Sequence, residues 1–172
     1  MTGRQGSHTS SASSIGHRAR HRATTVSIVY FDSSAFVKLL VEEQGTELVV
    51  ELWDGCDAAV SSRLDDPEVR AALAAARRNA DLSARQWRHA ESSWEELWAA
   101  VRPVELSAQV ERQAGRLAAD RALRGADAVH LASALAVGSQ DAVVAVWDRR
   151  LHEGARSEGM AVAPAQLEPR SA

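Results

Sequence analysis

The chain has 172 residues and a formal net charge of −3. Residues 1–25 hold Arg4, Arg18, Arg20 and Arg22 and no acid; of the 20 basic residues this leaves 16 beyond the tail, against all 23 acidic ones, a charge of −7. No apolar run is long enough to span a membrane, the basic start lacks the apolar core of a secretory signal, and a single Cys56 excludes a disulfide framework or a Cys-based zinc site.

Residues 1–25 are rich in Ser, Thr and His and nearly devoid of large apolar side chains. Such a segment buries too little surface to offset its ordering entropy, so it is expected to be a disordered basic tail. One domain is expected over residues 26–165, with a flexible end at 166–172. An acidic domain does not suit a protein that merely coats nucleic acid. The chain is expected to be cytoplasmic.

In chain order, Val26 to Phe31 is β-branched and aromatic and reads as a buried strand that ends directly at Asp32. Ser33 or Ser34 is placed to cap a helix carrying Phe36, Val37, Leu39, Leu40 and Val41, which Gly45 ends. A second helix is expected over Thr46 to Trp53, then a short strand at Ala58 to Ser61. Asp66 as N-cap with Pro67 in the first helical position starts a helix running to about Arg78. Ser83 caps the next, to about Ala100; Val101 to Val104 is a short strand interrupted by Pro103. Helices follow at Ser107 to Leu123 and Ala126 to Val137, separated by Gly125. An apolar strand, Ala142 to Trp147, ends at Asp148; a short helix and a last strand at Met160 to Ala163 complete the chain. Strands alternating with helices predict an α/β fold, a parallel sheet of four to five short strands flanked by helices on both faces.

In such sheets ligands gather at the carboxyl ends of the strands. Asp32, Glu68, Asp127 and Asp148 all fall at element ends that converge there. Taken singly, each Asp is more often a helix cap than a ligand. Taken together, four carboxylates at one edge repel one another unless a cation sits between them. An oxygen-only donor set favours a hard ion, Mg²⁺ or Mn²⁺, and such a site suits phosphodiester hydrolysis.

Four segments carry a resemblance to a known family: Val-Tyr-Phe-Asp32-Ser-Ser-Ala-Phe-Val-Lys-Leu-Leu; Ser-Ser-Arg63 through Glu68-Val-Arg; Gly-Ala-Asp127-Ala-Val-His-Leu-Ala-Ser-Ala-Leu; and Val-Trp-Asp148-Arg-Arg-Leu. In this order they resemble the PIN-domain family, in particular the VapC-type ribonuclease toxins of bacterial toxin–antitoxin modules. The resemblance implies a three-layer sandwich and Mg²⁺- or Mn²⁺-dependent hydrolysis of RNA. It implies that Asp32, Glu68 and Asp127 match the family's metal-binding carboxylates, with Asp148 as a more variable fourth. It also implies an antitoxin partner and a homodimer. Chains of this family begin close to their first strand; Val26 and Val29 are each encodable by GTG, so translation is expected to start near them, the rival reading being that the basic tail is an RNA-attracting arm. Val146 stands where the family often has Thr or Ser, and Pro67 directly before Glu68 is untypical. These departures keep open a second reading, a catalytically weak PIN domain that regulates through its antitoxin. A phosphatase of the haloacid dehalogenase type is set aside, because its second Asp would fall at Ser34.

Other residues carry two readings. Arg63, Arg149 and Arg150 are candidates for RNA phosphates or for surface ion pairs. Ser33 and Ser34 suit a hydroxyl beside the metal or a helix cap. His130, three residues after Asp127, is more often a packed, hydrogen-bonded histidine. Trp87, Trp94 and Trp98 form a helical stripe, read as an interface rather than a base-stacking platform. Trp53 is read as packing, Trp147 as open to either use. Lys38 is expected to snorkel to solvent.

Overall fold

The computed structural model describes residues 27–138 and 142–168. The basic tail, Val26, most of the loop at 138–140 and the last four residues lie outside the described residues. Hydrophobic alternation along the first strand organises everything that follows. In β1 (Ile28–Phe31), Val29 and Phe31 point to one face and Tyr30 to the other, and all three are buried. A strand buried on both faces needs cover on both.

The helices supply that cover. α1 (Ser33–Leu40), α2 (Thr46–Gly55), α3 (Asp65–Arg78) and α4 (Ala84–Ala100) pack on the Val29/Phe31 face with Phe36, Val49, Val69, Leu73 and Trp94. α5 (Ala108–Arg121), α6 (Gly125–Val137) and α7 (Arg149–Ser157) pack on the Tyr30 face with Val110, Leu117, Leu131 and Leu151. Between them lies a five-stranded sheet in the order β3-β2-β1-β4-β5, with β2 (Ala58–Ser62), β3 (Arg102–Val104), β4 (Ala142–Ala145) and β5 (Ala161–Ala163). Every pairing is parallel, and Ile28 aligns with both Ala58 and Ala142. The chain builds outward from β1 through β2 to β3, then crosses back to β4. The strand order therefore reverses between β1 and β4, the position where α/β sheets open a crevice. Pro103 sits on edge strand β3, where its missing N–H breaks no central ladder.

Several boundaries differ from those expected. Asp32 itself caps α1: its Oδ1 accepts from the Ala35 amide at 3.0 Å, so neither Ser33 nor Ser34 is the cap. Helix α3 starts two residues before Pro67, and Asp66 is not its N-cap. Asp66 Oδ1 instead accepts from Trp94 Nε1 and from Arg70 Nε, both at 2.9 Å, tying α3 to α4. The strand ending before Asp148 stops at Ala145.

The tryptophan stripe turns inward, which corrects the interface reading. Trp94 is fully buried, its ring 5.0 Å from Phe36 and 5.2 Å from Trp98 between centroids. Arg77 lies over Trp87, 4.5 Å from the ring centroid. Trp53 packs on Phe31 and Phe36, as expected. Lys38 does not snorkel. It is buried, paired with Glu43 at 2.8 Å and poised 5.3 Å from the centre of the Trp147 ring. Trp147 in turn abuts Gly45, whose φ of +93° lies in the left-handed region; a Cβ there would stand 2.7 Å from the indole Nε1.

Trp94→Ala is expected to lower unfolding free energy by about 3–5 kcal/mol, and Trp94→Phe by about 1–3 kcal/mol through loss of the bond to the Asp66 carboxylate. Urea denaturation measures both; an unchanged midpoint for Trp94→Ala would contradict this packing.

Candidate active site

Four helix starts meet at the reversal point. Asp32 leaves the end of β1 and caps α1; Asp148 follows β4 and caps α7, its Oδ1 accepting from the Arg150 and Leu151 amides at 2.8 and 3.1 Å. Asp127 lies in the first turn of α6 and Glu68 in the first turn of α3. All four line one cavity of about 260 Å³, together with Ser33, Ser34 and His130. The four carboxylates singled out from the sequence are thus neighbours in space. Asp32 and Asp148 do serve as caps, and capping engages only their Oδ1 atoms. Among the described residues no hydrogen bond reaches Oδ2 of either. The Oδ2 of Asp127 is buried without any partner.

Ser34 answers the question raised by Val146. Its hydroxyl donates to Asp32 Oδ1 at 2.7 Å and accepts from the Trp147 amide at 2.8 Å. One hydroxyl therefore pins Asp32 to the loop that carries Asp148. Val146 is fully buried in the core and has no part in the site.

Beneath the cavity lies a cluster that sequence reasoning missed in part. His130 is buried, with Nε2 2.9 Å from Glu68 Oε2, and Nδ1 3.1 Å from Tyr30 Oη and 3.5 Å from Asp65 Oδ2. Asp65, fully buried, accepts from the Ser62 amide at 3.1 Å and from the Ser61 hydroxyl. His130 is packed and hydrogen-bonded, as expected, and also lines the cavity. Asp65 carries no sequence signal of its own: it stands in an acidic run beside Asp66, and only the fold shows that it points inward.

The electrostatics follow from this crowding. Burial pushes the Asp32 carboxyl up to about 6, against bonds from Ser34 and the attraction of His130. Burial likewise raises Asp65 to about 7. Asp127 is raised by burial and then by the nearby Asp148 charge. Burial alone would push His130 down, but the hydrogen bond to Glu68 and the charges of Asp65 and Asp32 outweigh it and lift the imidazole to about 9. Burial also acts to raise Glu68, yet the bond from His130 prevails and holds that carboxyl below its ordinary value.

Asp65, Glu68 and His130 place one ligand-type atom each within 4.8 Å of the others. They do not suit a metal as they stand. Both imidazole nitrogens are already engaged, Nε2 by Glu68 and Nδ1 by Tyr30 and Asp65. Asp32, Asp127 and Asp148 line the same cavity and offer carboxylate oxygens, the donor type a hard divalent ion takes.

The candidate arginines separate. Arg63 pairs with Glu105 in the open and lines neither this cavity nor its neighbour. Arg149 and Arg150 line a larger hollow of about 890 Å³, which shares Asp148 with the acidic cavity and also holds Lys38, Arg124 and Trp147. Residues 166–168 of the expected flexible end run along this hollow, where the Glu168 carbonyl accepts from Arg149 and its carboxylate from Gln44.

Comparison with known proteins places these features in a family. The PIN domain family model matches residues 29–156. The chain is 68% identical over 142 residues to ribonuclease VapC45 of Mycobacterium tuberculosis strain CDC 1551 / Oshkosh, covering 83% of this chain and 99% of that protein. Ribonuclease VapC49 of strain ATCC 25618 / H37Rv matches to the same extent. Among solved structures, a toxin–antitoxin complex from Klebsiella pneumoniae superposes with a TM-score of 0.58 at 15% identity, covering 81% of this chain and 99% of that one.

Stability of the metal-free protein should therefore vary with pH in a definite sense. Asp32 and Asp65 bind protons more tightly folded than unfolded, so each favours the fold at low pH and loses that contribution as pH rises through its folded value. His130 contributes fully below its ordinary 6.5 and loses that contribution as pH rises through about 9. Glu68 acts oppositely, but only in the acid range. Thermal unfolding in EDTA should show the midpoint falling from about pH 5 to about pH 9; a rising midpoint would contradict these assignments.

Proposed function

The chain belongs to the PIN-domain family, and from that premise we propose that it is an endoribonuclease toxin of a toxin–antitoxin pair, dependent on Mg²⁺ or Mn²⁺. The observation that carries this reading is the convergence of Asp32, Glu68, Asp127 and Asp148 on one cavity at the reversal point of the sheet. The high identity to proteins named as ribonucleases supports RNA as the substrate.

The uncapped Oδ2 of Asp32 and the unpartnered Oδ2 of Asp127 would be the direct ligands in this proposal. Glu68 and Asp148 hold the waters around the ion. When bound, the ion polarises the scissile phosphate and makes its water more acidic. Asp148 is the most exposed of the four acids, so it is placed to take the attacking water's proton and release it to solvent. Ser34 keeps Asp32 and the Asp148 loop at fixed separation. That bond supplies the hydroxyl whose absence at Val146 motivated the weak-module alternative, and it favours the enzyme reading.

The larger hollow supplies the approach for the RNA strand. Arg124, Arg149 and Arg150 surround it beside Asp148, with Lys38 on its wall paired to Glu43, so phosphates next to the scissile bond would meet positive charge from the arginines. Arg63, paired elsewhere, is left out of this role. An antitoxin partner is supported by the toxin–antitoxin complex among the structural neighbours. A homodimer in the cytoplasm remains part of the proposal; no helix among the described residues is long and apolar enough to cross a membrane.

Purified protein incubated with RNA and Mn²⁺ should cleave it, EDTA should abolish cleavage, and Asp32→Asn or Asp127→Asn should slow it by at least about a thousandfold. Cleavage unaffected by EDTA or by either substitution would reject the proposal. Arg150→Ala should weaken RNA binding across sequences and reduce the slope of log affinity against log salt by about one, whereas Arg63→Ala should leave that slope unchanged.

A further inference from the structure

The buried cluster under the acidic cavity is larger than metal binding by Asp32, Glu68, Asp127 and Asp148 requires. We propose that Asp65 and His130 form a positioning relay that holds the Glu68 carboxylate in its working place, Asp65 acting only through the imidazole. The relay rests on the reading of Glu68 as a carboxylate of the metal site.

The contacts run in one direction. Asp65 is fixed at the end of β2 by the Ser62 amide and the Ser61 hydroxyl. Its Oδ2 lies 3.5 Å from His130 Nδ1, and the Tyr30 hydroxyl stands 3.1 Å from the same nitrogen, so the ring is held on that edge by β1 and by the first residue of α3. The opposite edge presents Nε2 to Glu68 Oε2 at 2.9 Å. Asp65 and His130 are buried, and Glu68 keeps 29% of its side chain exposed. His130 and Glu68 both line the cavity, and of the two it is Glu68 whose side chain is partly exposed there.

Packing alone does not account for this arrangement. A fully buried carboxylate is costly unless it is well paired, and Asp65 Oδ1 has no partner at all. An apolar residue at 65 would suit the α3 face that carries Val69 and Leu73. A glutamate is also a poor ligand while its several rotatable bonds remain free, since order lost on binding opposes affinity. Partners that orient a ligand from behind remove that loss, and their removal lowers metal affinity even though they never touch the ion.

A double-mutant cycle on the full chain tests this, with Mn²⁺ affinity read by titration calorimetry and folding checked by circular dichroism. Glu68→Gln should weaken Mn²⁺ binding. Asp65→Asn should weaken it about tenfold with Glu68 present and by less than about twofold when position 68 is already Gln. His130→Gln keeps an amide donor for Glu68 but loses the contacts to Asp65; once it is in place, Asp65→Asn should likewise add less than about twofold. Equal losses from Asp65→Asn in all backgrounds would mean that its charge acts on the ion directly, and would overturn the relay. No loss with Glu68 present would overturn it as well. If Asp65→Asn does not fold, Asp65→Ser and His130→Gln carry the same comparison against Glu68→Gln. Should Glu68→Gln leave Mn²⁺ affinity unchanged, the metal role of Glu68 falls and the relay with it, an outcome distinct from the additive one.

Discussion

Concentrated negative charge is the constraint on which the rest of this structure depends. Asp32, Asp65, Glu68, Asp127 and Asp148 crowd the end of a sheet whose central strand is buried on both faces. Burial in this low-dielectric setting raises the Asp32, Asp65 and Asp127 carboxyls, and neighbouring carboxylates add to the rise at Asp65 and Asp127. The fold offsets this without giving up the charges. Asp32 and Asp148 sit at the N-caps of α1 and α7, and Glu68 and Asp127 sit in the first turns of α3 and α6. Four helix starts thus turn their positive ends toward one crevice. His130 bonds Glu68 on the floor of the cavity.

The topology that makes this possible is simple. Parallel strands joined by helices put every strand's carboxyl end, and every following helix start, on the same edge. Reversal of strand order between β1 and β4 then opens a gap there rather than closing it with a crossover. The 15% identity to the Klebsiella pneumoniae neighbour suits this view. The frame needs only apolar alternation and helix starts, which many sequences satisfy. The chemistry needs a few acids at set places.

Those places were readable in the sequence because each lies at a local landmark. Asp32 and Asp148 follow apolar strands, Asp127 follows Gly125, and Glu68 follows Pro67. Residues whose role depends on contacts distant in sequence were not readable in the same way. Asp65 and His130 meet across 65 residues, and nothing local marks Asp65 as buried. Asp66 looked like a helix cap, yet its partners are Trp94 and Arg70. The Trp87–Trp94–Trp98 stripe gave the correct helix face, but periodicity does not say whether a face meets the protein's own core or another molecule; Phe36 decides that here. Of the two uses open to Ser34 in the sequence, a helix cap or a hydroxyl beside the site, its bonds to Asp32 and to the loop at Trp147 favour the second.

The contact between Gly45 and Trp147 has a consequence for how such a protein can diverge. Gly45 stands in the turn before α2, outside the acidic cavity, where sequence would ordinarily drift. Any side chain there must adopt a left-handed backbone and push on the Trp147 indole. The Trp147 amide holds the Ser34 hydroxyl, which holds Asp32. Evolutionary freedom at this turn is therefore tied to the Asp32 carboxylate three contacts away. Lineages that replace the glycine would have to change the tryptophan in the same history.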